Sequence, residues 1–141
     1  MDMTATEFVM GIIDATKETI LQVDNDIKIT ETTMFQTIMK LSHTKSDKLD
    51  FSIDMMSDLL KTTKMEKMLC VAITKQNWEL LIPMKNKYRQ LADNLMENME
   101  RGVEKNVLSE ETYINNANHL KNTMNWVGES ITALRHIGLI L

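Results

Sequence analysis

The chain is poor in the residues that make tight turns and covalent cross-links. Its 141 residues include four glycines, one proline and one cysteine. So few glycines and prolines leave few positions for the repeated turns of an all-β fold, whereas helix-favouring Met, Leu, Lys, Glu and Gln are plentiful. We therefore expect an all-α protein. The length fits one core that needs no disulfide, so residues 1–141 are expected to form a single helical-bundle domain.

Long apolar runs are also missing. No uninterrupted apolar stretch approaches the ~20 residues of a membrane span. The first seven residues carry two acids and no base, unlike the basic start of a signal peptide. The single Cys70 cannot form an internal disulfide, which favours a reducing compartment. We therefore expect a cytoplasmic protein with no membrane span.

Motifs for catalysis and cofactor binding are absent from the sequence too. It contains no His-Glu-x-x-His, no Glu-x-x-His and no Cys-x-x-Cys, and its four glycines are isolated from one another. Cys70 lies in Met-Leu-Cys-Val-Ala and is expected to pack as a small buried hydrophobe. We predict no enzymatic activity, no cofactor and no metal site. An enzyme would require His119 or His136 to face an acid across helices in one pocket.

The remaining sequence has the apolar spacing of helices packed along one side, with steps of four and three. Thr4 and Glu7 form a capping box at the start of a first helix over about 5–42. Ser109 precedes two acids and opens a last helix, which Gly138 is expected to end. The predicted fold is an up-and-down antiparallel bundle of four to five helices, in which the first helix is the longest.

Two internal boundaries are predicted between these helices. Thr63 and Glu66 form a second capping box, which indicates a pause in the chain at 61–63. Pro83 inside a helix would cost ~3 kcal/mol or more. We therefore place a break near 76–80 and leave a single kinked helix over 64–101 as the alternative. Gly102 then serves as a C-terminal helix stop.

The first helix is expected to exceed the length of its partners and to project from the bundle. Phe35, Ile38 and Met39 widen its apolar stripe, so the second half is predicted to enter the core and the first half to be less fully covered. Self-association through this first half is the main hypothesis, and the two tryptophans are further anchors if exposed. The candidate interface residues are Phe8, Val9, Ile12, Ile13, Ile20, Trp78 and Trp126.

Charge is distributed unevenly along the chain. The net charge is −4, but residues 1–60 carry −6 and residues 61–89 carry +5. The basic side chains of the second stretch form a candidate basic patch: Lys61, Lys64, Lys67, Lys75, Lys85, Lys87 and Arg89. A solvated helical face beside an acidic neighbour is the favoured interpretation. A nucleic-acid surface is the alternative, although such surfaces usually combine a denser basic field with aromatic side chains.

Thirteen methionines are numerous for this length. The favoured interpretation is that they fill gaps in the core, and the alternative is a Met-lined surface that binds several helical targets. The segment 77–91, Asn-Trp-Glu-Leu-Leu-Ile-Pro-Met-Lys-Asn-Lys-Tyr-Arg-Gln-Leu, resembles the helix-opening Trp-x-x-Leu segment of flagellar export chaperones. The first sixty residues have no counterpart in that pattern. The resemblance implies a small helical protein that holds another subunit.

These observations favour a non-enzymatic protein-protein interaction protein. It would be an adaptor, a secretion-type chaperone or an oligomeric structural subunit, and would bind a partner helix or itself through apolar helix stripes. The alternative function is association with nucleic acid through residues 61–89. A homo-oligomer is the expected state.

Overall fold

The computed structural model describes residues 4–41 and 47–141. Within these ranges it contains four α-helices, one short 3-10 helix and no strand, which confirms the all-α prediction. The helices are α1 (Ala5–Leu41), α2 (Asp47–Thr74), α3 (Leu81–Glu104) and α4 (Glu110–His136), and the 3-10 helix is Trp78–Leu80. As predicted, α1 is the longest, with 37 residues.

Consecutive helices pack along one another and run antiparallel. Asp24 of α1 pairs with Lys67 of α2 at 2.6 Å, and Asn98 of α3 donates a hydrogen bond to Asp58 of α2 at 2.9 Å. Apolar residues from all four helices meet in one buried cluster, which organises the bundle. Its largest fully buried members are Tyr88, Leu69, Ile73, Leu81, Leu95, Met99, Leu120 and Leu134.

The helix starts follow the predicted capping pattern. The Glu7 amide donates to Thr4 Oγ1 at 3.1 Å, and the Thr112 amide donates to Ser109 Oγ at 3.2 Å. Each bond satisfies one of the amides that a helix leaves unpaired at its start. Pro83 lies in the first turn of α3, where the missing amide costs little. The predicted break before Pro83 is therefore confirmed, and the single kinked helix was wrong.

Two predicted boundaries were wrong. Helix α2 runs without a pause through Thr63, because the Thr63 hydroxyl bonds the Leu59 carbonyl of its own helix and does not cap a new one. Gly102 does not stop α3, since the helix continues to Glu104. Gly102 is instead a packing position, because a Cβ there would overlap the ring of Phe51 on α2.

Helices α2, α3 and α4 each end in a Schellman motif. The second residue after each helix has a positive φ, of 59° at Gln76, 59° at Asn106 and 80° at Gly138. In each case the amide of the next residue bonds a carbonyl five positions earlier, as Asn77 does to Ala72 at 2.8 Å. Only the stop at Gly138 was predicted, because glutamine is an uncommon residue for this conformation.

The burial of α1 is the reverse of the prediction. Its first half supplies Val9, Ile13, Thr16 and Val23, all buried, and no later residue of α1 with a described side chain is buried. Phe35, Ile38 and Met39, expected in the core, are exposed. The four-three spacing located the packed side of α1 correctly but could not show where along the helix its neighbours end.

Candidate functional site

A buried acid sits between three helices at the centre of the bundle. Glu66 of α2 is 4% exposed, and its Oε1 accepts a hydrogen bond from Thr123 Oγ1 of α4 at 2.7 Å. His119 of α4, one helical turn before Thr123, places its Nε2 3.3 Å from the same oxygen. Tyr88 of α3, also buried, is hydrogen-bonded to Thr123. We call these four residues the Glu66 cluster.

Burial and charge shift the proton equilibria around Glu66. The hydrogen bond to Glu66 raises the pKa of His119 above its ordinary value; burial opposes the rise, and the charges of Glu66 and Asp26 add to it. Burial, with the negative charge of Glu66, raises the pKa of the Cys70 thiol to about 12. The same two causes raise the pKa of the Tyr88 phenol, which the bond to Thr123 partly offsets. Cys70 and Tyr88 are thus protonated at neutral pH.

An enzyme was expected to need a histidine that faces an acid across helices in one pocket, and the Glu66 cluster meets only part of this condition. His119 faces Glu66 across helices, and it also lines an open depression of about 230 Å³ together with Asp26 of α1, whereas Glu66 does not line that depression. Cys70 is fully buried, and a buried protonated thiol is a poor nucleophile. Within the described ranges, no three His, Cys, Asp or Glu side chains are grouped to hold a metal ion. The arrangement fits a polar connection between helices.

The predicted interface residues have unequal access to solvent. Val9, Ile13 and Trp78 are buried in the core cluster, and Ile12 and Trp126 pack against it. Phe8 and Ile20 are half-buried. The prediction that this part of α1 projects uncovered was therefore wrong, because the chain's own core covers it. A role for these residues in binding a partner stays a prediction.

The structure divides the basic stretch between two sides of the bundle. Lys67 and Lys75 line a depression beside α2, whereas Lys85 and Arg89 line a groove of about 670 Å³ between α3 and α4. Lys67 is also paired with Asp24. These basic side chains therefore do not form one continuous patch.

The exposed apolar surface of α1 lies to one side of its buried residues. Met10, Leu21, Phe35 and Met39 are separated by 11, 14 and 4 residues, each close to a whole number of helical turns, so they share one side of the helix. Leu21, Phe35 and Met39 are 72%, 65% and 61% exposed. We call these four residues the outer row; Ile29, 56% exposed, flanks it.

A second apolar surface lies between α2 and the start of α3. It is a depression of about 230 Å³ lined by Met68, Val71, Leu80 and Met84, with Lys67 and Lys75 at its edge. Met68, expected in the core, is half exposed here. Lys61, Lys64, Met68, Val71 and Lys75 recur at steps of three and four along α2 and therefore share its outer side. We call this surface, with its lysines, the basic groove.

Sequence reasoning missed the Glu66 cluster and the basic groove. A signal for the first was present, because Glu66 falls three residues before Leu69 and seven before Ile73, both on the buried side of α2. An acid at such a position needs a buried donor. The donor, Thr123, is 57 residues away and follows only from the packing.

Comparisons with known proteins give this chain no relatives: no family model, no curated protein and no solved structure matches it. In the part of the chain that the structure describes, no helix is long and apolar enough to cross a membrane.

Proposed function

We propose that this chain is a non-enzymatic, self-associating interaction protein of the reducing cytoplasm, and that the outer row of α1 is its principal binding surface. The observation that carries the proposal is the exposure of Leu21, Phe35 and Met39 on one side of a single helix. Single apolar side chains are ordinary on protein surfaces, whereas contiguous exposed apolar patches mark interaction sites. A long helix that presents such a row can pack against a helix of another chain.

The Glu66 cluster supports a structural and not a catalytic use of the interior. Its carboxylate is bonded to groups on α4, and Glu66 is not among the residues that line the open depression beside His119. The cluster joins α2 to α4 through these bonds.

Sedimentation of the purified chain across a wide concentration range tests the proposal. The wild type is expected to associate, and Leu21→Gln combined with Phe35→Gln to shift the chain to monomer, because both substitutions remove apolar contact at exposed positions. Ile114→Gln is the matched control, since Ile114 is a similarly exposed apolar residue on α4. A wild type that stays strictly monomeric at high concentration, or an unchanged double variant, refutes the proposal.

A further inference from the structure

The first half of the outer row and the basic groove carry opposite charge, whereas the exposed Lys28 lies on the same side of α1 beyond that half. The first half of α1 exposes Glu7, Asp14 and Glu18 on the same side as Met10 and Leu21, with Lys17 as the one base among them. The basic groove has the converse composition. From 61 to 78 the only acid is Glu66, and it is buried.

We propose that the basic groove of one copy of this chain receives the outer row of a second copy. Each copy would present a row at one place and a groove at another. Head-to-tail use of the two surfaces is heterologous and builds a ring or a filament, whereas reciprocal use closes a two-fold dimer. This inference rests on the proposed function, because it names the surface on which the outer row docks.

The two surfaces also match in length and chemistry. Glu7 and Glu18 are eleven residues apart on α1, as Lys64 and Lys75 are on α2, which is ~16 Å along each helix. Between the two lysines lie the apolar Met68 and Val71. Between the two acids lies Met10, with Leu21 one turn beyond Glu18. A helix laid along the groove thus brings apolar groups to its centre and carboxylates to its lysines.

Flexible side chains suit the floor of the groove to a docked helix. Met68 and Met84 have unbranched, polarizable side chains that adjust to the shape of an inserted group. The lysines on the same outer side of α2, Lys61, Lys64 and Lys75, are all exposed. Long-range attraction between the acidic row and these lysines would speed association and make it sensitive to salt.

The test uses two double variants of the full chain, each first shown by circular dichroism to retain its helices. The row variant is Met10→Gln with Leu21→Gln, and the groove variant is Lys64→Glu with Lys75→Glu. Each alone is expected to raise the dissociation constant of self-association at least about tenfold. Mixed in equal amounts, they should form a complex of two chains and nothing larger, since only one intact row and one intact groove remain.

A control variant and three outcomes make the test decisive. Lys105→Glu with Lys121→Glu makes the same change in net charge at exposed sites elsewhere and should associate as the wild type does. A groove variant that associates normally overturns the inference and leaves the proposed function standing. A mixture that stays monomeric overturns it too. So does wild-type binding of a single-stranded DNA 20-mer that the groove variant loses without any change in self-association, which would favour nucleic acid as the occupant.

Discussion

The hydrogen bond from Thr123 to Glu66 joins α4 to α2 in the buried interior. A buried carboxylate that loses a donor is left with an uncompensated desolvation cost. Thr123→Val keeps the shape of the side chain and removes its hydroxyl, and with it the bonds to Glu66 and Tyr88. We expect it to lower the free energy of unfolding by ~1–3 kcal/mol, measured by urea denaturation. Thr132→Val on an exposed turn of the same helix is the control and should change stability by no more than about 0.5 kcal/mol. Equal effects of the two substitutions would contradict a buried role for Glu66.

His119 makes stability depend on pH in a defined direction. Because its pKa is raised in the folded state, its contribution is fully present below the unfolded pKa of about 6.5 and is lost as pH rises through the folded value. His119→Gln should therefore lower the Tm at pH 6 more than at pH 8.5. The effect is expected not to exceed ~1 kcal/mol, since the side chain is 58% exposed and water screens the pair. In a Glu66→Gln background the substitution should lose most of its pH dependence, and only the part due to Asp26 should remain; undiminished pH dependence there would show that Glu66 is not the main cause.

At the scale of whole elements, the close approach of α2 and α3 depends on Gly102. Gly102→Ala would drive a methyl group into the Phe51 ring, which should cost ~1–3 kcal/mol through overpacking. Gly11→Ala is the matched control, because nothing lies within 4 Å of a Cβ added there. It should stabilise the exposed side of α1 by ~0.5–1 kcal/mol. Thermal unfolding of the two variants should thus move in opposite directions, and a stabilising Gly102→Ala would show that α2 and α3 are not held this closely.

Because Gln76 has a positive φ, a substitution at the end of α2 can raise the stability of the protein. The left-handed conformation costs an ordinary residue ~1–2 kcal/mol, and glycine avoids this cost. Gln76→Gly should raise stability by up to ~1 kcal/mol. Gln90→Gly, in the exposed middle of α3, should lower it by ~0.5–1 kcal/mol because glycine weakens a helix interior. Two losses of similar size would show that Gln76 has a different backbone conformation in solution.

The sequence predicted most helices and several of their ends, but not the residues at which neighbouring helices cross. Local signals were sufficient at Thr4, Ser109 and Pro83, where capping chemistry or a missing amide acts within one turn. They failed at Gly102, whose neighbour Phe51 lies on another helix and was not foreseeable from spacing. The periodicity of α1 predicted which side of the helix is buried. How far along the helix that side is covered depends on where α2 begins. The Glu66 cluster joins groups far apart in the sequence and needed the packing to be seen.

At the scale of the whole molecule, the two halves of α1 differ in burial: the other helices cover its first half well and its second half poorly. Val9, Ile13 and Val23 are buried with the core, whereas the helix beyond Val23 has no buried side chain among those described. Local opening costs least where few apolar contacts are broken. The second half of α1 is therefore expected to open without unfolding the rest. It is also the part whose apolar side chains a partner would cover.

Hydrogen exchange along α1 tests this gradient together with self-association. In dilute solution, amides of residues 28–39 should exchange much faster than those of 9–23. Ile13→Ala should cost ~2–4 kcal/mol of global stability, but Ile29→Ala no more than about 0.5 kcal/mol, because Ile29 is exposed. At concentrations where the chain associates, protection of the outer row should rise in the wild type and not in the double variant Leu21→Gln with Phe35→Gln. Uniform protection of α1 in the dilute monomer would refute the gradient, and an unchanged pattern on association would place the contact elsewhere.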